Sequence, residues 1–295
     1  MLLAIDTATR TASVALYGER GVAAEHTWLS QNHHTVEVAP AIAAMLDQQG
    51  VSGEGLGGVA VTRGPGSFTG LRIGMSLAKG LALALDLPII GIPTLDVVAY
   101  AAGDPGSPVV AVLEAGRGRL AVATYRYADG LPVAQGGVEV VRAADWVPAG
   151  GDEPLLLTGE LAPALVERLL AGPGAERLAI STPAGSLRRA GYLAEMAWER
   201  LERGEVDDLD ALTTRLPLQG VGELFHEAVE PTRQAVDVMG IAVVGDHGRD
   251  GGEQADRGCH QSLGDAGCDL GEGGGADVGQ AAEGVHDAPH GAEQA

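Results

Sequence analysis

The segment LLAIDTATRTASVALY, residues 2–17, consists of two apolar runs on either side of a short polar turn. A third run of similar length, residues 22–29, follows a Gly-Glu-Arg-Gly turn at residues 18–21. Apolar runs of this length, separated by turn-sized gaps, are typical of β-strands connected by hairpins. The opening of the chain therefore predicts a three-stranded antiparallel meander.

Helical and extended segments alternate after this meander. The first predicted helix, 35–49, ends at Gly50 and contains Pro40, which should either kink it or mark its first turn. The strands and helices that follow are predicted at 58–62, 67–85, 88–92 and 94–101. A second series then has strands at 109–113, 120–127, 137–141, 155–158 and 178–180 and helices at 162–171 and 191–202. Meander, helix, strand and helix thus occur twice, which predicts a duplicated α/β architecture with a reduced second half.

This repetition divides the chain into three parts. We expect an N-terminal α/β domain at 1–105, a smaller C-terminal α/β domain at 106–216 and an acidic tail at 217–295. The tail contains Gly-rich stretches without helical or strand periodicity, so we expect it to be disordered. Translation from a shifted frame of a GC-rich gene explains its composition equally well, and the sequence leaves both interpretations open.

The composition excludes several classes of protein. With 19 basic and 40 acidic residues the formal net charge is −21, which disfavours autonomous binding to nucleic acid. No apolar run approaches the ~20 residues of a membrane span, and the N-terminus lacks the basic region of a signal peptide. The two cysteines, Cys259 and Cys268, lie in the tail, which argues against a disulfide scaffold or a zinc site. We therefore expect a cytoplasmic protein.

The polar turn at residues 6–13 is a candidate nucleotide site. In folds of the sugar-kinase, actin and Hsp70 type, a strand-end aspartate followed by a hairpin rich in hydroxyl groups contacts nucleotide phosphate and its metal, and backbone N–H groups of such a turn can bind an anion. Asp6, Thr7 and Ser13 are the candidate cofactor-binding residues in this interpretation. A carboxylate that only caps the turn is the structural alternative, and the sequence leaves both open.

The Gly-rich segment RGPGSFTGLRIG, residues 63–74, matches no standard nucleotide-binding motif. A dinucleotide fingerprint requires glycine at the position of Thr69, and a P-loop requires a lysine before Ser or Thr at the helix start. Ser67 instead has the character of a helix N-cap. The adjacent residues His33 and His34 precede the first helix, but their spacing makes them poor co-ligands for a metal. We therefore predict no catalytic and no metal-binding residue.

The helix at 67–85 carries two apolar stripes. One contains Phe68, Leu71, Met75 and Ala82, and the other contains Ile73, Leu77, Leu81 and Ala84. A helix that is apolar on two sides contacts more than one neighbour. Either one stripe meets the sheet and the other meets a neighbouring helix or partner protein, or the helix is fully buried.

Together these features resemble the TsaB (YeaZ) family. The resemblance rests on Leu-Ala-Ile-Asp-Thr-Ala-Thr at the N-terminus, the His-Thr before the first helix, and above all the segment 63–74 followed by Ala-Lys-Gly-Leu-Ala. It covers about residues 1–215 and weakens after residue 105, where the segment 114–120 and Thr214-Arg215-Leu216-Pro217 only partly match family motifs. It implies an actin-like, RNase H-like duplicated fold and a non-catalytic subunit of the machinery that makes threonylcarbamoyladenosine next to the anticodon of tRNA. The part of the chain that resembles the family, about residues 1–215, contains no His-x-x-x-His, which is the metal-site motif of the family's catalytic paralogue, TsaD. The one such spacing, His286 to His290, lies in the tail.

The resemblance also implies partners. These are a TsaD-type catalytic subunit, a TsaE-type ATPase, and a second copy of the chain when TsaD is absent, with tRNA contacted only through the complex and no membrane. It implies no cofactor of the chain's own, although ATP or ADP can lie at the interface with the catalytic partner. The helices 35–49 and 67–85 would form the partner interface, with the stripe of Met75 facing outward. The predicted interface residues are His33, Thr35, Phe68, Leu71, Arg72, Met75, Lys79 and Ala82.

Two enzymatic alternatives remain. An actin-like ATP hydrolase or phosphotransferase would use Asp6 with a second acid, for which Glu114 is the candidate, but the adenosine-binding Gly-Gly motif is poorly placed. A peptidase of the M22 type, an older label of this family, is disfavoured because the sequence shows no nucleophile and no metal dyad.

Overall fold

The first β-sheet contains the predicted meander. A computed structural model of the protein describes residues 1–31, 33–149 and 151–215, so the predicted tail lies outside the described residues. The sheet has five strands in the order β3-β2-β1-β4-β5. They are β1 (Leu2–Asp6), β2 (Thr11–Gly18), β3 (Gly21–Leu29), β4 (Gly58–Thr62) and β5 (Ile89–Ile92). Strands β1 to β3 pair antiparallel, which confirms the meander, whereas β4 and β5 continue the sheet parallel to β1.

Helices cover both faces of this sheet because its central strands are apolar on both sides. The helices are α1 (His34–Gln49), α2 (Phe68–Leu85), α3 (Thr94–Ala102), α4 (Pro163–Leu170) and α5 (Ala190–Glu202). In β1, Leu3 and Ile5 pack with α1 and α2, and the alternate residues Leu2 and Ala4 pack with α5. The first sheet is therefore the middle layer of an α/β/α arrangement.

The second sheet repeats this plan with shorter elements. Its strands are β6 (Val109–Glu114), β7 (Arg119–Ala128), β8 (Leu131–Ala134), β9 (Glu139–Arg142), β10 (Leu155–Gly159) and β11 (Leu178–Ile180). Their order is β11-β10-β6-β7-β8, and β9 pairs with β7. Strands β6 and β7 are antiparallel, whereas β10 and β11 are parallel to β6. Helix α3 packs on one face and α4 on the other. This repetition confirms the predicted duplicated α/β architecture.

The helix α5 comes from the second half of the chain but packs on the first sheet. The sequence assigns it to the predicted domain 106–216, yet it packs on the first sheet, with Leu193 and Ala197 in the same apolar cluster as Leu2 and Ala4. The predicted second domain therefore includes a helix that belongs to the core of the first. The boundary near residue 105 falls between α3 and β6, and the domain division itself stays a prediction.

The helix α2 is the one described helix with the length and mean hydropathy of a membrane span. Half of its residues are buried, and they pack against β4 and α1 in the first core. This environment is that of a core helix, and it explains why the helix is apolar on more than one side.

Candidate functional site

A cleft of about 680 Å³ opens at the carboxyl end of β1. Four short segments line it: the β1–β2 turn (9–11), the start of α2 (66–68), the β6–β7 turn (114–119) and the end of β10 (160–162). The carboxyl ends of parallel strands are where open α/β sheets commonly bind ligands. The cleft is therefore the first place to test the predicted nucleotide site.

Asp6 lies beneath this cleft in the protein interior. Its side chain has no exposed surface, and its Oδ2 accepts a hydrogen bond from Nε of Arg188 at 2.5 Å. Its Oδ1 accepts from the Ala8 N–H at 2.9 Å and from the Thr62 hydroxyl at 3.1 Å. Both carboxylate oxygens thus have protein partners, one of them a cation.

Arg188 is the centre of a buried ionic network. Its side chain is 2% exposed, and Nη2 donates to the Thr9 hydroxyl at 2.9 Å and to the Thr11 carbonyl at 3.3 Å. Nη1 lies 3.5 Å from Oε1 of Glu160. Burial by itself would lower the pKa of the Arg188 guanidinium, but the carboxylates of Asp6 and Glu160 raise it above its usual value. The guanidinium therefore remains charged and links the strand-end of β1 to that of β10.

Thr7 and Ser13 also have internal partners. The Thr7 hydroxyl donates to the Gly70 carbonyl at 2.7 Å, and Ser13 Oγ accepts from the Ala190 N–H at 2.8 Å. Both side chains are about 1% exposed. All three residues predicted to bind a nucleotide, Asp6, Thr7 and Ser13, are thus buried and hydrogen-bonded to the protein, which does not support a nucleotide contact at these side chains.

A metal-bound nucleotide does not fit the residues at this site. Magnesium is held by carboxylate oxygens and nucleotide phosphates, and it requires free oxygen ligands. At Asp6 those oxygens are occupied, and the Arg188 guanidinium stands where a metal ion would have to approach. In the described ranges, no group of three His, Cys, Asp or Glu side chains is placed to hold a metal ion.

The sequence analysis did not identify Arg188 or Glu160, although Thr9 lies in the polar turn 6–13 that it singled out. Arg188 lies 182 residues from Asp6 in the chain, in an Arg-Arg pair with no recognisable spacing to any acid. Contacts of such long sequence separation leave no local pattern, so no signal in a single sequence could have identified them.

The Gly-rich segment before α2 is a packing feature. Ser67 Oγ accepts the Gly70 N–H at 3.3 Å, which confirms the predicted N-cap. A Cβ at Gly66 would lie 2.3 Å from the Ala8 carbonyl oxygen, and one at Gly70 would lie 2.2 Å from that of Thr7. These glycines therefore allow the start of α2 to pack directly on the β1–β2 turn.

Of the stripe on α2 that was predicted to face outward, Phe68 is exposed, but the prediction is wrong for the other three residues. Leu71, Met75 and Ala82 are at most 6% exposed, and Met75 and Ala82 pack in the first core with residues of α1 and β4. The physical reason is that both apolar stripes of α2 reach the first core, because Leu77 and Leu81 of the other stripe belong to the same cluster. These three residues are therefore removed from the candidate interface.

One partly exposed face of α2 consists of Phe68, Arg72, Lys79 and Leu83. Phe68 is 47% exposed and Leu83 57%, Lys79 is half-buried, and the Arg72 guanidinium lies 3.8 Å from the centre of the Phe68 ring. Their spacing of four, seven and four residues puts them on one helical face.

The exposed face of α1 continues this surface. Val36 is 70% exposed and Pro40 is also exposed, and α1 contacts α2 on the same side of the first sheet. We define the α1–α2 surface by six residues: Val36, Pro40, Phe68, Arg72, Lys79 and Leu83. The predicted interface residues His33 and Thr35 are exposed at its edge, at the start of α1. Their contact with a partner stays a prediction.

Comparison with known proteins gives consistent results. The family model of TsaD, tRNA N6-adenosine threonylcarbamoyltransferase, matches residues 2–153. The tRNA threonylcarbamoyladenosine biosynthesis protein TsaB of Bacillus subtilis (strain 168) is 34% identical over 160 residues, which are 54% of this chain and 70% of that protein. TsaB of Escherichia coli (strain K12) is 40% identical over 127 residues, 42% of this chain and 54% of that protein. The chain thus spans about half to 70% of these relatives.

A solved structure extends the match beyond these segments. YeaZ from Pseudomonas aeruginosa superimposes with a TM-score of 0.62 at 27% identity, covering 72% of this chain and 98% of that one. This likeness, together with the two mixed sheets, confirms the predicted actin-like α/β fold class.

Proposed function

Because this chain belongs to the TsaB (YeaZ) family, we propose that it is a scaffolding and activating subunit of a tRNA threonylcarbamoyladenosine biosynthesis system. In this role it pairs with a TsaD-type catalytic subunit that modifies the adenosine next to the anticodon. The observation that carries the proposal is the α1–α2 surface, on which Val36, Phe68 and Leu83 are all about half exposed or more. Apolar side chains grouped on one face mark an interaction site.

The state of Asp6 supports a non-catalytic role. A phosphotransferase or ATP hydrolase of the actin-like class needs this strand-end carboxylate to be free for the nucleotide's metal. Here Arg188 neutralises it at 2.5 Å. Of the two acids among the described residues that line the cleft, Glu160 is hydrogen-bonded to the protein, whereas Glu114 is exposed. Transfer of the threonylcarbamoyl group is accordingly assigned to the partner.

The α1–α2 surface is proposed as the partner interface, with His33 and Thr35 at its edge. The same surface would pair two copies of this chain when the catalytic subunit is absent, so the two partners compete for it. The remaining components are proposed with the complex: a TsaE-type ATPase, ATP or ADP held between the subunits, tRNA contacted as part of the assembly, and a cytoplasmic location.

Co-purification with a TsaD-type subunit tests the interface. We expect Leu83→Asp to weaken the association at least tenfold, because it places a charge in an apolar contact. Leu170→Asp is the matched control, since Leu170 is 47% exposed at the end of α4 and lies outside the surface. If both variants associate as tightly as the wild type, α1–α2 is not the interface.

A further inference from the structure

Four arginines surround the cleft. Arg10 and Arg119 line it directly, Arg117 lies in the same β6–β7 turn, and Arg142 is on the neighbouring strand β9. All four side chains are exposed. Within the ranges that the structure describes, none of them lies within ion-pair distance of an acidic side chain. We call these residues the arginine rim. Its lack of acidic partners is notable in a chain with a net charge of −21.

Two members of the rim stand directly opposite each other. In the antiparallel pairing of β7 with β9, Arg119 is the partner of Arg142. Like charges at directly opposite positions destabilise a sheet. Further along the same strand, Arg126 has an acidic partner, with its Nη2 2.6 Å from Glu153 Oε2. An arginine on β7 can therefore form an ion pair, and Arg119, which forms none within the described residues, lies at the cleft.

The acids of the cleft do not neutralise the rim. Glu160 is already used, because it accepts hydrogen bonds from the Thr9 hydroxyl and the Glu114 N–H and lies beside Arg188. The exposed Glu114 carboxylate is the other acid that lines the cleft. Within the described residues, the four arginines of the rim are therefore accompanied by one free carboxylate, that of Glu114, so the net charge around the cleft is positive.

The cleft also contains an aromatic ring and borders the proposed interface. Phe68 lines the cleft and belongs to the α1–α2 surface. Proteins that bind single-stranded nucleic acid combine cations along the backbone with an aromatic ring on which a base stacks. Here the Arg72 guanidinium lies 3.8 Å from the centre of the Phe68 ring, and the ring belongs to the proposed partner interface, so the rim and not the ring is the feature that fits RNA.

We propose that the arginine rim contacts phosphate groups of a single-stranded segment of the tRNA while it is bound to the complex. This inference rests on the proposed function, because the acidic chain would not hold RNA by itself. The planar guanidinium fork of arginine matches phosphate oxygens, and each contact releases counterions from the RNA. An acidic peptide of the partner is the competing occupant, and the loss of partner association in the test below would identify it.

The test measures tRNA binding by the complex of this chain with its TsaD-type partner. The probe is an unmodified tRNA transcript, titrated at several salt concentrations. The variant Arg119→Gln/Arg142→Gln removes the opposed pair. The control Arg126→Gln/Arg203→Gln removes two charges of similar exposure that have carboxylate partners. Circular dichroism confirms that each variant is folded, and gel filtration measures its association with the partner.

We expect the rim variant to lose tRNA affinity at least tenfold and the control to stay within twofold. The slope of log K against log salt should also become shallower by about 1.4, because each phosphate contact to a single strand contributes roughly 0.7 and the variant removes two arginines. Unchanged affinity and slope with an intact complex would overturn this inference and leave the proposed function standing. Loss of partner association in the rim variant would identify a protein contact and also overturn it. Failure of the wild-type chain to bind the partner would refute the proposed function, and with it this inference.

Discussion

Replacing Arg188 with methionine removes the guanidinium from the buried network and keeps a side chain of similar length. The Asp6 carboxylate would then stay in the interior with only the Ala8 N–H and the Thr62 hydroxyl as partners. Removing one member of a buried ion pair costs about 3–5 kcal/mol because the other charge is left without compensation. We expect a loss of this size in the free energy of unfolding.

The matched control is Arg189→Met in the next residue. Arg189 is exposed, and its Nη1 lies 3.6 Å from Glu25 Oε2. An exposed pair of this kind contributes about 0–1 kcal/mol. The double variant Asp6→Asn/Arg188→Met removes both buried charges, so it should recover about 1–3 kcal/mol relative to Arg188→Met alone.

Urea denaturation at neutral pH measures these differences. With a slope of about 1–3 kcal/mol per molar urea, the midpoint of Arg188→Met should fall by about 1–5 M, and that of Arg189→Met by less than ~1 M. Equal midpoints for the two single variants would refute the claim that Arg188 compensates a buried charge. A double variant less stable than Arg188→Met would refute the pairing with Asp6.

Three further predictions concern the core helices. Met75→Glu should unfold the protein, because it buries a carboxylate in the first core at several kcal/mol; a folded variant by circular dichroism would instead restore an outward position for this residue. Gly70→Ala should lower the melting temperature, since its Cβ would lie 2.2 Å from the Thr7 carbonyl oxygen. Gly80→Ala should stabilise α2 by up to ~1 kcal/mol, because no atom lies within 4 Å of the added Cβ. Equal shifts in the melting temperatures of the two variants would contradict this expectation. Burial raises the pKa of Tyr100 to about 12, so the unfolded phenol ionises first and the free energy of unfolding should fall as pH rises from about 10 to about 12. Stability curves against pH check this, and a Tyr100→Phe variant with the same pH dependence would contradict it.

Much of the fold can be predicted from short-range patterns. The opening meander is set by apolar runs separated by turns, and the observed β1, β2 and β3 follow them closely. The start of α2 is marked by Ser67, whose hydroxyl caps the helix as its sequence position indicates. The duplication is visible because both halves repeat one order of elements.

The candidate site could not be predicted in the same way. Periodicity shows that α2 has two apolar stripes, but only the packing on the first sheet shows that the stripe of Met75 is buried. Arg188 is far from Asp6 in the chain, so the sequence around Asp6 is the same whether its carboxylate binds a metal ion or pairs with Arg188. The pairing of Arg119 with Arg142 likewise depends on the register of β7 and β9.

The central proposal is that this chain activates a catalytic partner and performs no transfer itself. The most direct test is a threonylcarbamoyl-transfer assay on unmodified tRNA, with the TsaD-type and TsaE-type subunits supplied with or without this chain. The account predicts product only when chain and partner are both present, with strongly reduced product for Leu83→Asp and normal product for Leu170→Asp. Transfer by this chain alone, or full transfer by the partner without it, would contradict the account.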